Sequence, residues 1–314
     1  MPQGIVCAPQ PEAVEAGVLA LERGGNAVDA AIACALVQTA IDPQMCGIAG
    51  FGSMQLYLPD QGQHHFIDFH GRAPAATQED MWEDIVISET EDGFGFVLEG
   101  GVNDLGYQSI TSPGSIKAFA EAIERYGNLT LAELLEPAIE YCEQGFAVRT
   151  HVASYWNLVE AAGRIPHIER LRAIPATAKI YTREDGSIYK AGEILRNPDM
   201  GNTYRRIASA GVEDFYEGEI ASKIAADMKE NGGLLSGDDL RDFQTEQSEP
   251  VWGEFHGYEV ATNPLPGGGA MVIEMLNILS HFDLKAMGHN SSHYIATVAE
   301  AMKIATVDKD RHMG

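Results

Sequence analysis

"GGNAVDAAIACALV", residues 24–37, is apolar on every helical face from Ala30 to Val37. A helix lying on a surface shows one apolar stripe, so a segment that is apolar all round has to be enclosed by other elements. Its start is written just as clearly. Gly24-Gly25 stops whatever precedes it, Asn26 supplies an N-cap, and Asp29 places a carboxylate in the first turn, where backbone N–H groups lack partners. This stretch therefore predicts a helix at the centre of a layered fold. Upstream, "PEAVEAGVLALE" predicts a helix that opens on Pro11 and turns Val14, Val18 and Leu21 to one face, and "GIVCAP", residues 4–9, reads as a short buried strand.

Downstream of the glycine-punctuated loop "DPQMCGIAGFG", the alternation Met54, Leu56, Leu58, the turn "PDQG" and the returning "HHFIDF" predict a β-hairpin. Arg72 stands just past it. "LTLAELLEPAIEYCEQG" predicts a helix stopped by Gly145, residues 151–172 read as helical, and 176–192 reads as an irregular hairpin around "EDGS". Helices return in "PDMGNTYRRIASAG" and "EGEIASKIAADMKENGG", and a strand in "GYEVATN". Two helices follow, patterned on Val272, Met275, Leu276, Leu279 and on Ile295, Val298, Ala299, Met302. No repeat or linker interrupts the series, which reads as one α+β domain over residues 1–314.

Composition narrows the function. Forty-six acids against 21 bases give the 314-residue chain a net charge of −25, a balance that repels nucleic acid and anionic membranes. Between Ala73 and Ile116 there is no Lys or Arg, and that acidic run reads as a solvated face. Cys7, Cys34, Cys46 and Cys142 are scattered without a Cys-x-x-Cys pair, so reduced thiols are expected and neither a zinc site nor a disulfide framework is. The N-terminal stretch has no basic and apolar leader pattern, no segment reaches the length of a spanning helix, and the chain reads as cytoplasmic. His64 and His65 fall on opposite faces of a strand, a poor metal pair. Asp308, Asp310 and His312 are spread around a helix end, where ion pairing with Arg311 is preferred to a metal. "PLPGGGAM" reads as a helix-entry turn, with exposed amides for an anion as the alternative. No cofactor motif and no Gly-x-Ser-x-Gly elbow is present.

Seven blocks in series carry more. "GGNAVDAAIACAL", "DPQMCGIAGFGSM", "DFHGRAPAA", "SPGSIKAFAEAIERYGNLTLAELLEPAIEYCEQGFAV", "EDFYEGEIASKIAADMKENGG", "PLPGGGAMVIEMLNIL" and "AEAMKIATVDKDR" resemble, in order and spacing, the large subunit of γ-glutamyltransferases and related acylases. The resemblance implies an N-terminal-nucleophile hydrolase, an αββα sandwich whose sheets are completed by a small subunit cut from the same precursor. A threonine exposed at the start of that small subunit would use its own α-amine as base, attack an amide carbonyl and pass the acyl group to water or an amine. The chain stops at "DKDRHMG", short of the family's cleavage point, so no catalytic residue is expected within it and no cofactor or metal is implied.

The resemblance also suggests where substrate is held. The family's motif is similar to Asp-x-Arg-Glu-x-Ala-Pro, its arginine binding the substrate carboxylate. Aligned on Ala73-Pro74, that arginine is His70 here, the glutamate is Gly71, and Arg72 stands at a variable place. In an extended segment residues 70 and 72 share a face, so Arg72 and His70 are the candidate substrate-binding residues. A second reading of Arg72 is an ion pair with Asp68 or the acidic run. His70 is open to reading as an acceptor, a weak cation at low pH or a packed ring. The implied substrate is a small γ-glutamyl or other carboxylated amide. The alternatives are a cephalosporin- or oxamate-type acylase and a non-catalytic binding module.

Overall fold

The structure, a computed structural model, describes residues 4–93, 95–159 and 163–312. Within residues 1–314 the chain gathers into two compact units, Met1–Phe51 with His70–Gln244, and Gly52–Phe69 with Thr245–Gly314.

The first unit is mainly helical and is built around the opening stretch. Helix α1 (Pro11–Glu22) packs on α2 (Ala27–Ile41), and α2 packs in turn on α3 (Ser115–Tyr126) and α4 (Leu131–Gln144). Enclosure of α2 is as its composition predicts, with Ile32, Ala33, Leu36 and Val37 all buried. Its cap is a closed box: Asn26 Oδ1 accepts from Val28 N and Asp29 N, and the Asp29 carboxylate accepts from Asn26 N at 2.7 Å. The same buried carboxylate reaches across the fold, accepting from Asn128 N and Leu129 N just ahead of α4. Helix α4 has its own box, Thr130 with Glu133, and ends at Gly145 with φ 95°.

Four local readings are corrected here. Helix α1 buries Ala13, Ala16, Gly17 and Ala20, whereas Val18 is 41% exposed. The cause is close approach: a Cβ on Gly17 would stand 2.6 Å from Cys34 Sγ on α2, so only a small-residue face fits the seam. Residues 4–9 form no strand, and Ile5 is 99% exposed, because among the described residues no other segment pairs with them. The helical reading of 151–172 resolves into Thr150–Trp156 and His167–Ala173, separated by Pro166, with residues 160–162 outside the described residues. The hairpin expected over 176–192 shrinks to the bridge Thr182↔Ile188, since Pro175 starts a helix that runs to Tyr181. The helices Pro198–Ala210 and Glu219–Glu230 stand where the sequence puts them.

The second unit holds the hairpin, β1 (Ser53–Leu58) antiparallel to β2 (Gln63–Asp68) in the register Met54↔Ile67, Leu56↔His65, with Glu246–Ser248 added antiparallel to β2. Val251–Phe255 and Tyr258–Thr262 make a second hairpin, on which the helix Gly269–Leu279 packs, followed by the helix Ser292–His312. "PLPGGGAM" is the turn that enters the former, closed by Gly267 N to Pro264 O at 2.9 Å. These two helices meet through small residues, Ala301 and Ala305 being buried, so Val272, Ile295 and Met302 of the predicted stripes lie exposed, the last two by 54% and 51%. No helix among the described residues is long and apolar enough to cross a membrane.

Candidate functional site

A loop anchored on α2 and α3 borders the candidate site. Where α2 ends, the Asp42 carboxylate accepts from the side-chain amides of Gln10 and Gln38, each at 3.1 Å, and Asp42 O accepts from Met45 N and Cys46 N. The chain then turns through Gly47–Gly50 and hands its carbonyls to the start of α3. Gly50 O accepts from Gly114 N and Ser115 N, at 2.8 and 3.0 Å, and Ile48 O accepts from Ile116 N. Helix α3 has no side-chain cap, so these carbonyls satisfy amides that the helix itself cannot. An anion has no claim on them.

The loop delivers Phe51, whose ring is 62% exposed. Gly52 and Phe69 close the base of the hairpin by exchanging backbone hydrogen bonds, so the chain leaves and re-enters at neighbouring points. The Phe51 ring accordingly lies 5.7 Å from the His70 ring, tilted by 37°.

Residues 70–75 are held from two sides. Ser112 N donates to Arg72 O at 2.9 Å, and Ala75 N donates to Asp239 Oδ1 at 2.7 Å. Burial pushes the Asp239 carboxyl up, but hydrogen bonds from the Ser236 hydroxyl and from the Ala75 and Ser236 amides outweigh it and hold the group below the ordinary Asp range. Gly71 lies against Thr111, and a Cβ there would be 2.0 Å from Thr111 Oγ1. His70, Arg72 and Thr111 are all exposed.

The two residues singled out by sequence thus sit on one pinned, exposed segment, joined by two that sequence reasoning missed. Phe51 belongs to a stretch read only as a glycine-punctuated loop. Thr111 precedes "SPGS", which leads into α3, and no sequence signal marks it. Elsewhere, His64 stacks on Tyr57 at 4.3 Å and meets Trp252 edge-on at 4.7 Å, while His65 bonds Gln63, in keeping with their opposite faces. Near the chain's end Asp310 pairs with Lys309, at 2.9 Å, and Asp308 stands beside Glu274, whose carboxyl is raised by burial and by that neighbour. Burial pushes the Cys46 and Cys142 thiols up to about 12, which makes them poor nucleophiles.

The family model for gamma-glutamyltranspeptidase matches residues 13–314. The chain belongs to the gamma-glutamyltranspeptidase family. It is 33% identical over 313 residues to the glutathione hydrolase proenzyme of Pseudomonas sp. strain A14, covering 99% of this chain and 51% of that protein. Among solved structures it is similar to Helicobacter pylori gamma-glutamyltranspeptidase, with TM-score 0.88 and 28% identity over 100% of this chain and 85% of that one. Cephalosporin acylase from Bacillus halodurans superposes with TM-score 0.82 and 31% identity, over 97% of this chain and 53% of that one. The chain spans about half the length of the curated relatives it matches. Its mixture of helices and antiparallel strands is that of these family structures.

Proposed function

We propose that the chain is the large-subunit part of a γ-glutamyltransferase-like amide hydrolase or acyltransferase whose nucleophile, an N-terminal threonine, lies outside it. The observation that carries this reading is the family match over residues 13–314 against proenzymes about twice as long. In this reading the threonine hydroxyl attacks the substrate's amide carbonyl while its α-amine takes the hydroxyl proton and then gives it to the leaving amine. Water or a second amine next breaks the acyl ester. The part of this chain is positional: Arg72, with His70 beside it, holds the substrate's carboxylate so that the amide carbonyl is presented at a fixed distance. The family's αββα sandwich would be completed by the small subunit, and a cytoplasmic location suits four unpaired cysteines.

Two observations bear on the alternatives. Val272, Ile295 and Met302 stand exposed on the two helices of one unit, and a self-sufficient binding module would place polar residues there, so a further piece of protein is the fitting cover. The closeness of Thr111 to Gly71 leaves no room for a glutamate at 71 on this backbone, which favours an acylase for a carboxylated amide other than the γ-glutamyl one. Expression of the full-length gene tests the reading. It should yield two fragments after self-cleavage and turnover of an acyl anilide. A soluble, folded product that neither cleaves nor hydrolyses γ-glutamyl and glutaryl anilides would overturn it.

A further inference from the structure

We infer that the strand β3 (Val86–Glu89) is a docking edge for an extended, basic segment of a partner protein, which adds to it as a third strand. β3 pairs antiparallel with β4 (Phe96–Leu98), and among the described residues these two strands form a sheet of their own. The β4 side of the ribbon is covered. Leu98 is buried, Phe96 O accepts from Asn103 Nδ2 at 2.8 Å, and Gly163 lies so close that a Cβ on it would stand 2.9 Å from Val97 Cγ2. The other side is open: Val86 N is taken by Glu83 O, and among the described residues no segment but β4 pairs with the rest of β3. An edge of this kind offers N–H and C=O groups to an extended chain.

The side chains decide between occupants. Natural edges are guarded by charge, proline or a bulge. Here the register shifts between Val86 and Ser88, yet the residue at the shift is Ile87, 66% exposed, with Val86 and Phe96 also exposed on the same short ribbon. Such an apolar surface is what an added strand covers. The charge around it has one sign. Glu83, Asp84, Glu89, Glu91 and Glu99 are exposed on or next to the ribbon, and none of them forms an ion pair among the described residues. No Lys or Arg occurs between Ala73 and Ile116, and Arg164, which reaches the ribbon from elsewhere, is held by Asp92 at 2.7 Å. A second copy of this chain brings the same carboxylates and is repelled, whereas a segment bearing Lys and Arg is attracted. Carboxylates alone would keep copies apart, but they leave the three apolar side chains without a role. A strand that alternates apolar and basic residues answers both features.

The test uses the full-length protein and fluorescein-labelled peptides of alternating Val and Lys, read by fluorescence anisotropy, with hydrogen–deuterium exchange on residues 86–89. The Val-Lys peptide should bind at least about tenfold more tightly than a Val-Glu peptide of equal length, and it should slow exchange at 86–89. The same Val-Lys peptide with N-methylated amides keeps its charge and apolar surface but cannot pair, and should bind at least about tenfold more weakly. Ile87→Thr retains strand propensity and should weaken binding by about threefold to tenfold, as should Glu89→Gln combined with Glu91→Gln; an unchanged Tm checks that the variants are folded. Equal binding of the methylated and unmethylated peptides shows attraction of charge alone and overturns the inference. So does absence of binding, or binding that leaves exchange at 86–89 unaltered. Amides at 86–89 already protected in the free protein overturn it as well, light scattering then telling a second copy from the rest of the chain as the cover.

Discussion

Asp29→Ala should be among the most destabilising exposures of the hydrogen-bond plan to a single substitution. The side chain is fully buried and its two oxygens serve three backbone donors, Asn26 N at 2.7 Å and Asn128 N and Leu129 N at 3.0 Å each. Removal leaves all three amides without their acceptor. A buried donor left unpaired costs about 1–3 kcal/mol, and the lost half of the capping box adds about 1 kcal/mol. Asn26 and Asn128 are close enough to the surface for water to recover part of this, so a net loss of about 4 kcal/mol is the working figure. Against a typical total of about 5–15 kcal/mol this is a large fraction, and it should lower Tm by roughly 10 °C or more. Asp29→Asn keeps one accepting oxygen but turns N–H donors toward N–H donors, and about half the loss is expected. Circular dichroism at 222 nm against temperature and urea reads both variants. If Asp29→Ala loses less than about 1 kcal/mol, the cross-brace from α2 to residues 128–129 is not what holds these elements together, and the reasoning fails.

The remaining predictions concern charge and packing. Arg72→Ala in the full-length protein should reduce kcat/KM on a carboxylated anilide by about one to two orders of magnitude while sparing self-cleavage, and Arg72→Lys should recover only part; wild-type turnover by the alanine variant refutes the role. Gly17→Val should cost about 1–3 kcal/mol in urea titration, because side-chain atoms would be forced onto Cys34 Sγ and Val6 Cγ1, 2.6 and 2.7 Å from the site of the first added carbon. The Asp239 carboxyl is depressed in the folded state, so the stability it contributes is full above the ordinary Asp pKa of about 3.9 and drains as pH falls below it. Asp239→Asn should therefore lower Tm at pH 7 and flatten its decline between about pH 5 and pH 3, and parallel Tm curves for the two proteins would contradict this.

What was legible in the sequence follows from how local the determining physics is. The cap at Asn26 and Asp29, the all-round apolar run of α2 and the Met54–Leu58 alternation are each decided within one turn or one strand, and each stands in the structure as read. The face of α1 was not local. Val14, Val18 and Leu21 are the hydrophobic choice, yet Ala13, Ala16, Gly17 and Ala20 were buried because α2 comes too close for larger side chains, and interhelix distance is written in no single segment. The strand expected over 4–9 failed for a related reason, since extended backbone needs a partner and its own residues cannot supply one.

The site divides in the same way. His70 and Arg72 could be picked out because an isolated base after a hairpin, in a motif whose neighbours Ala73-Pro74 fix the alignment, is a feature of adjacent residues. Thr111 and Phe51 could not, since each reaches the segment through a chain of backbone bonds that starts elsewhere: Gly50 O to the first amides of α3, Gly52 to Phe69, and Ser112 N to Arg72 O. Within the first unit those bonds bring three distant stretches, 47–51, 70–72 and 110–116, together. The glycine at 71 is the point where the two kinds of information meet. In sequence it reads as a missing glutamate, a loss. In the structure the space in which a residue-71 side chain would begin is taken by Thr111, so on this backbone a glutamate at 71 would collide with a side chain that the sequence places forty residues away.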